Sequence, residues 1–145
     1  MQALTIAAYI IRQCEDKNRP VNNLKLQNVL YYIQLQHLRK YGFPAFDAPI
    51  EAWRHGAVVY DIYLRFKRYT SNPIHLDDIY VQQTTERLNR DCQQICDEII
   101  QKTLPLDPWE LVRLSCQTKA WQKNFASGHY NVIPLQEMQE CKMNL

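Results

Sequence analysis

Apolar positions recur at helical pitch from the start of the chain. Leu4, Ala7, Ala8 and Ile11 share one side, and Ile6, Ile10 and Cys14 widen it, which predicts a first helix over about Ala3 to Asp16. After Asn18, Arg19 and Pro20, Asn22 and Asn23 stand where they can cap a second helix. An Asn side-chain oxygen accepts from the unpaired N–H groups of a first turn. That helix is expected to end near Gly42.

Within it, Leu26, Val29, Leu30 and Ile33 form one apolar face, and Leu24, Tyr31, Leu35 and Leu38 form another nearly opposite. A helix apolar on two sides is central and mostly buried. One narrow arc stays polar, with Lys25, Asn28, Tyr32, Gln36 and Arg39, and is the strip expected to reach solvent or a partner.

The turn-rich stretch Gly42 to Pro49 leads to Ile50–Trp53, which reads as extended, and Gly56 permits a turn. Val59, Ile62, Tyr63, Phe66 and Tyr69 then follow helical spacing, with Asp61, Arg65 and Arg68 on the other side, and Asn72-Pro73 stops that third helix. A short run, Ile74 to Val81, is ambiguous between strand and helix. A long fourth helix is predicted from about Thr85 to Thr103, with Leu88, Cys92, Ile95, Cys96 and Ile99 on one face. Asp107, Pro108 and Glu110 supply cap, first-turn proline and capping-box acid for a fifth, which carries Trp109, Leu111, Val112 and Leu114. Trp121 and Phe125 continue the apolar packing, Ser127-Gly128 breaks it, and Pro134 opens a last short helix to about Lys142. The pattern predicts a mainly all-α, compact single-domain bundle over residues 1–145, of about five or six helices, with at most a minor short β element.

Composition agrees. Hydrophobic residues at 46% and charged residues at 22% in 145 residues describe one ordinary globular domain. A formal charge of +2 does not announce a nucleic-acid protein, and no apolar run approaches the length of a membrane span. The start of the chain lacks a basic leader with an apolar signal core, so the expected location is the cytoplasm. Five cysteines, an odd number in a chain large enough to fold without staples, read as reduced thiols.

Two segments carry a resemblance. Leu24-Lys25-Leu26-Gln27-Asn28-Val29-Leu30-Tyr31-Tyr32, followed by Glu51-Ala52-Trp53-Arg54-His55-Gly56-Ala57-Val58-Val59-Tyr60 and then Tyr63 and Phe66, resembles the Panacea antitoxin family of phage-associated proteins. The likeness covers Leu4 to Arg68 and continues more weakly through Leu111 to Ser115 and Trp121. It implies a helical antitoxin module, often carried on prophages or other mobile elements, that neutralises a toxin protein encoded beside it. This chain departs from the family pattern in three places. Ala57 replaces the proline expected after the motif glycine, which would free the turn before the third helix. Asn28 stands where a basic residue is common, and Cys116 lies near an expected histidine.

Apart from the resemblance, Trp53, Arg54, His55 and Gly56 bring an indole, a cation, a titratable ring and a turn together. Such a group serves a packed corner or a protein contact. The expected partner surface is therefore Tyr32, Gln36 and Arg39 of the polar arc with Trp53, Arg54 and His55. Catalysis is not expected: Cys116, His55 and His129 lack any spacing that joins nucleophile to base, and no phosphate-cradling glycine loop or metalloprotease motif is present. Cys92 and Cys96 can share a helix face, but two thiols do not complete a structural zinc site, so no cofactor or metal is expected. The alternative function is a DNA-associated phage regulator using Arg65, Lys67 and Arg68, or, less favoured, an enzyme of unknown type, which would need His and Cys or carboxylates to converge in a cleft. Against the regulator, the second helix spends two faces on apolar residues and makes a poor recognition helix. Periodicity leaves the oligomeric state open.

Overall fold

Caps fix the central helix. In the computed structural model, which describes residues 1–145, α1 (Ala3–Asp16) is followed by α2 (Asn23–Tyr41). Asn22 Oδ1 accepts from the Lys25 backbone N–H at 2.9 Å, and Gly42, at φ 79°, returns its own N–H to the Leu38 carbonyl. A left-handed C-cap of this kind favours glycine because it has no Cβ to clash. Thirteen of the nineteen α2 residues are buried, so the double apolar face does place this helix at the centre.

The remaining elements wrap α2. They are β1 (Ile50–Trp53), β2 (Gly56–Val59), α3 (Tyr60–Phe66) with a 3-10 turn at Lys67–Tyr69, α4 (Ile79–Gln83), α5 (Arg90–Thr103), α6 (Pro108–Ser115), α7 (Lys119–Asn124), β3 (Asn131–Val132) and α8 (Leu135–Glu140). α5, α6, α8 and β2 pack directly on α2, and α1 packs on α2 and α5. The chain is 57% helical, with a small sheet in the order β2-β1-β3, antiparallel throughout. The mainly α class holds.

Several boundaries differ from the sequence reading for identifiable reasons. The helix count rises to eight because α4 and α7 stand apart from their neighbours. The Thr118 hydroxyl donates to the Ser115 carbonyl at 2.7 Å, closing the turn that separates α6 from α7. Val59 belongs to β2 rather than to the third helix, since its N–H is taken by Gln27 Oε1 at 2.9 Å. The fourth predicted helix starts at Arg90, not Thr85. Asn89 caps it through Cys92 N, while Arg12 holds the preceding chain by the Val81 and Thr84 carbonyls at 2.6 and 2.5 Å. The ambiguous run Ile74 to Val81 is no strand; Asp78 caps α4 through the Tyr80 and Val81 amides. The last helix ends at Glu140 rather than Lys142.

Ala57 also differs from expectation. It lies inside β2 opposite Ala52, with its N–H 3.5 Å from Ser115 Oγ, so the missing proline leaves a paired strand residue and not a loosened turn. Cys92 and Cys96 are buried in the core. The Cys92 thiol contact and burial both push the Cys96 thiol upward, which keeps it protonated.

The capping box of α6 forms as its residues predict: Asp107 Oδ1 accepts from the Trp109 and Glu110 amides at 2.8 and 3.0 Å, and Glu110 Oε1 accepts from Asp107 N at 3.3 Å. The Glu110 backbone N–H, with that of Trp109, holds the Asp107 carboxyl below the usual range. A depressed folded pKa means stabilisation that is present above the unfolded value and lost as pH falls through the folded one. Asp107→Asn keeps the acceptor without the titration, so its Tm should fall less steeply than that of the parent between about pH 5 and pH 3. Parallel slopes would remove this role.

Candidate functional site

A two-residue turn, Arg54-His55, joins β1 to β2. Neither residue has positive φ; that conformation falls on Gly56, at φ 102°, as in a type I turn followed by a glycine bulge. The hairpin is pinned from both sides. Trp121 Nε1 donates to the Trp53 carbonyl at 2.9 Å from α7, and Gln27 holds Val59 from α2.

Strand alternation sorts its side chains. Ile50 and Ala52 turn to the core, while Glu51 and Trp53 stand on the outer face. β3 adds Val132 opposite Glu51 on that face. The Trp53 ring is thereby surrounded: its centroid lies 4.6 Å from Tyr130, 5.0 Å from Tyr63 and 6.0 Å from Tyr60. Its Nε1–H donates to Glu51 Oε1 at 2.9 Å. On the other side of the turn, the His55 ring meets Trp109 edge-on at 5.1 Å. Much of this aromatic surface is open, with Tyr130 66%, Trp109 59%, Val132 52% and Tyr60 43% exposed.

Beside the patch is a cleft of about 500 Å³, with an apolar lining of Leu24, Trp53, Val58, Tyr63 and Tyr130. Arg54, His55 and Lys67 also line it, and no carboxylate does. A larger polar cleft of about 1060 Å³ lies between α1 and α5. Some of its groups are engaged within the fold: Arg12 on backbone carbonyls, Tyr9 on Asp97 and Thr5 on Glu86.

Of the six residues expected to meet a partner, three form the hairpin corner: Trp53, half-buried, and the exposed Arg54 and His55. The other three lie on α2, where Tyr32 and Arg39 bond the chain's own C-terminal segment and Gln36 reaches α5. Tyr32 is fully buried, and its hydroxyl donates to Asn144 Oδ1 at 2.7 Å. Gln36 is half-buried and reaches Glu98 at 3.5 Å, while Arg39 is exposed but donates to the Cys141 carbonyl at 2.8 Å. The polar arc is therefore no open strip: residues after α8 lie along it. Asn28, from the same arc, is buried against Gly56, and its Oδ1 has no hydrogen-bond partner.

Sequence reasoning missed Tyr130, assigned Lys67 to a DNA-binding surface rather than to this cleft, and placed Trp109 among packing residues. Trp109 is two positions from the buried Leu111, about 200° around the helix, so spacing alone could have turned it outward. Tyr130 gives no local signal, since only the pairing of β3 with β1 brings it to Trp53.

The basic group expected for DNA is partly spent. Arg68 pairs with the buried Asp78 at 2.5 Å and sits over Tyr69, while Arg65 sits over Tyr80. Cys116 is half-buried, and burial pushes its thiol up to about 11, which disfavours the thiolate a nucleophile needs. No helix is long and apolar enough to cross a membrane.

No curated protein and no solved structure matches the chain. The antitoxin SocA-like, Panacea domain model matches residues 26–122, a span that runs from α2 through the hairpin, α5 and α6 into α7. On that match, the chain belongs to the antitoxin SocA-like Panacea domain family.

Proposed function

We propose that the chain is an antitoxin that binds and neutralises a toxin protein encoded beside it on a phage or other mobile element, using the hairpin corner as its contact surface. The observation that carries this reading is the exposed apolar group of Tyr60, Tyr130 and Val132 around the half-buried Trp53, beside Arg54 in the turn. Contiguous apolar surface on a small domain marks an interaction site, and Trp, Tyr and Arg dominate interface energetics, the rings because they bury large areas at small entropic cost and Arg because its planar fork bonds and stacks. The action is binding without catalysis and without a cofactor, in the cytoplasm. Trp53, Arg54 and His55 make the contact, with Arg39 as the exposed end of the α2 arc; Tyr32 and Gln36 serve by holding the C-terminal segment and α5 in place.

The test is coexpression with the adjacent reading frame. The neighbour alone should arrest growth, and the wild-type chain should restore it and copurify with the neighbour's product. Arg54→Ala with Tyr130→Ala removes two exposed side chains and should weaken binding roughly tenfold or more, about 1.4 kcal/mol, with helicity unchanged. A harmless neighbour that never copurifies, or a folded double variant with wild-type affinity, would reject the proposal.

A further inference from the structure

The cations at the hairpin corner are unused within the chain. Arg68 is neutralised by Asp78 and Lys102 pairs with Glu98, but neither Arg54 nor Lys67 forms an ion pair or a side-chain hydrogen bond. Both line the same cleft of about 500 Å³, and no acidic side chain lines it with them. Two exposed, unpaired cations beside apolar walls create a positive potential that no lining carboxylate cancels. An anion bound there gains charge-assisted hydrogen bonds that water otherwise supplies.

Resting on the reading of this corner as a protein-binding surface, we infer that the cleft takes an extended segment of the partner protein. That segment places an acidic side chain between Arg54 and Lys67 and an apolar or aromatic side chain against Trp53, Tyr63 and Tyr130. The cleft is within the size range of small-ligand sites, enough for a few side chains and not for a helix laid lengthwise. Glu51 argues for a peptide over a nucleic acid. Its carboxylate holds the Trp53 indole N–H at the edge of the patch. A phosphate backbone would bring a negative charge at every nucleotide toward that carboxylate, whereas a peptide needs only one acid.

The experiment is selection from a displayed library of random peptides of about twelve residues on the immobilised full chain, in parallel with Arg54→Ala/Lys67→Ala. Both substitutions are at exposed positions, and unchanged circular dichroism checks the fold. The wild type should enrich Asp or Glu close to Phe, Trp or Leu by roughly threefold or more over the library, and the variant should lose the acidic enrichment. Binding of a selected peptide should weaken several-fold as salt rises from about 0.05 to 0.5 M. The inference is overturned by no enrichment, by basic or uncharged winners, or by equal acidic enrichment on the variant. It is also overturned if an oligothymidylate displaces the selected peptide at physiological salt, or if the wild type self-associates through this cleft and the variant does not. Failed growth rescue with the acidic selection intact would fault the antitoxin reading and leave the cleft chemistry standing; rescue without acidic selection would do the reverse.

Discussion

Gly56→Ala is expected to cost the fold roughly 2–5 kcal/mol, enough to leave much of a marginally stable domain unfolded. Two effects add. The backbone at φ 102° strains any residue with a side chain, and a Cβ there would meet Asn28 Oδ1 at 2.3 Å, Asn28 Cγ at 3.1 Å and Ser115 Oγ at 3.2 Å. The Asn28 amide cannot simply step aside, because it is fully buried and its Nδ2 donates to the Leu24 carbonyl at 3.0 Å. Its Oδ1 already lacks a partner. Asn28→Ala removes that orphaned oxygen and opens space, so Gly56→Ala should cost about 1–3 kcal/mol less in that background. Urea denaturation of the four proteins measures this coupling. Equal costs in both backgrounds would mean that backbone strain and the Ser115 contact, and not Asn28, make glycine necessary.

This contact also shows where sequence reading stops. Gly56 was legible as a turn, and Asn28 as a polar position on α2, because both signals are local. Their collision is not local: it arises from the docking of the hairpin on α2, which no periodicity reports. The same division holds elsewhere. The ends of α1 and α2 follow from apolar spacing, Asn22 and Gly42, and the start of α6 follows from Asp107 and Glu110. The burial of Tyr32 does not follow from its own helix, because the covering group, Asn144, lies at the other end of the chain. At the candidate site, Trp53, Arg54 and His55 stood out by residue type, while Tyr130 joins them only through strand pairing.

Gln34→Leu is the second substitution expected to be severe, at about 3–5 kcal/mol. Gln34 is fully buried, and its single amide serves three backbone groups. Its Oε1 accepts from Ala45 N at 2.8 Å and Phe46 N at 3.4 Å, and its Nε2 donates to the Phe46 carbonyl at 3.0 Å. These bonds tie the chain between α2 and β1 to the central helix. Leucine fills the space but leaves buried donors and an acceptor unpaired, each worth about 1–3 kcal/mol. Denaturation gives the total cost, and faster hydrogen exchange at the Ala45 and Phe46 amides would place the damage. A loss below about 1 kcal/mol would show that water replaces the glutamine at little cost. Gln34 appeared in neither apolar face nor in the polar arc of the sequence reading, since its partners are eleven and twelve residues away in an irregular segment.

The hairpin lies within the span that the family model matches, as do α3 and Lys67, while β3 and Tyr130 lie beyond the matched span and complete the aromatic patch. A corner whose core side is fixed by Gln27 and Trp121, and whose outer side is left open, can vary its exposed residues without disturbing the fold. Arg54, Lys67 and Tyr130 are such positions.

The most direct measurement is amide hydrogen exchange on the full chain, alone and with the product of the adjacent reading frame. Binding at the corner predicts slowed exchange over residues 50–59 and 130–132, with residues 84–97 at the polar cleft unchanged. Protection confined to that cleft, with the hairpin exchanging as in the free protein, would contradict the account.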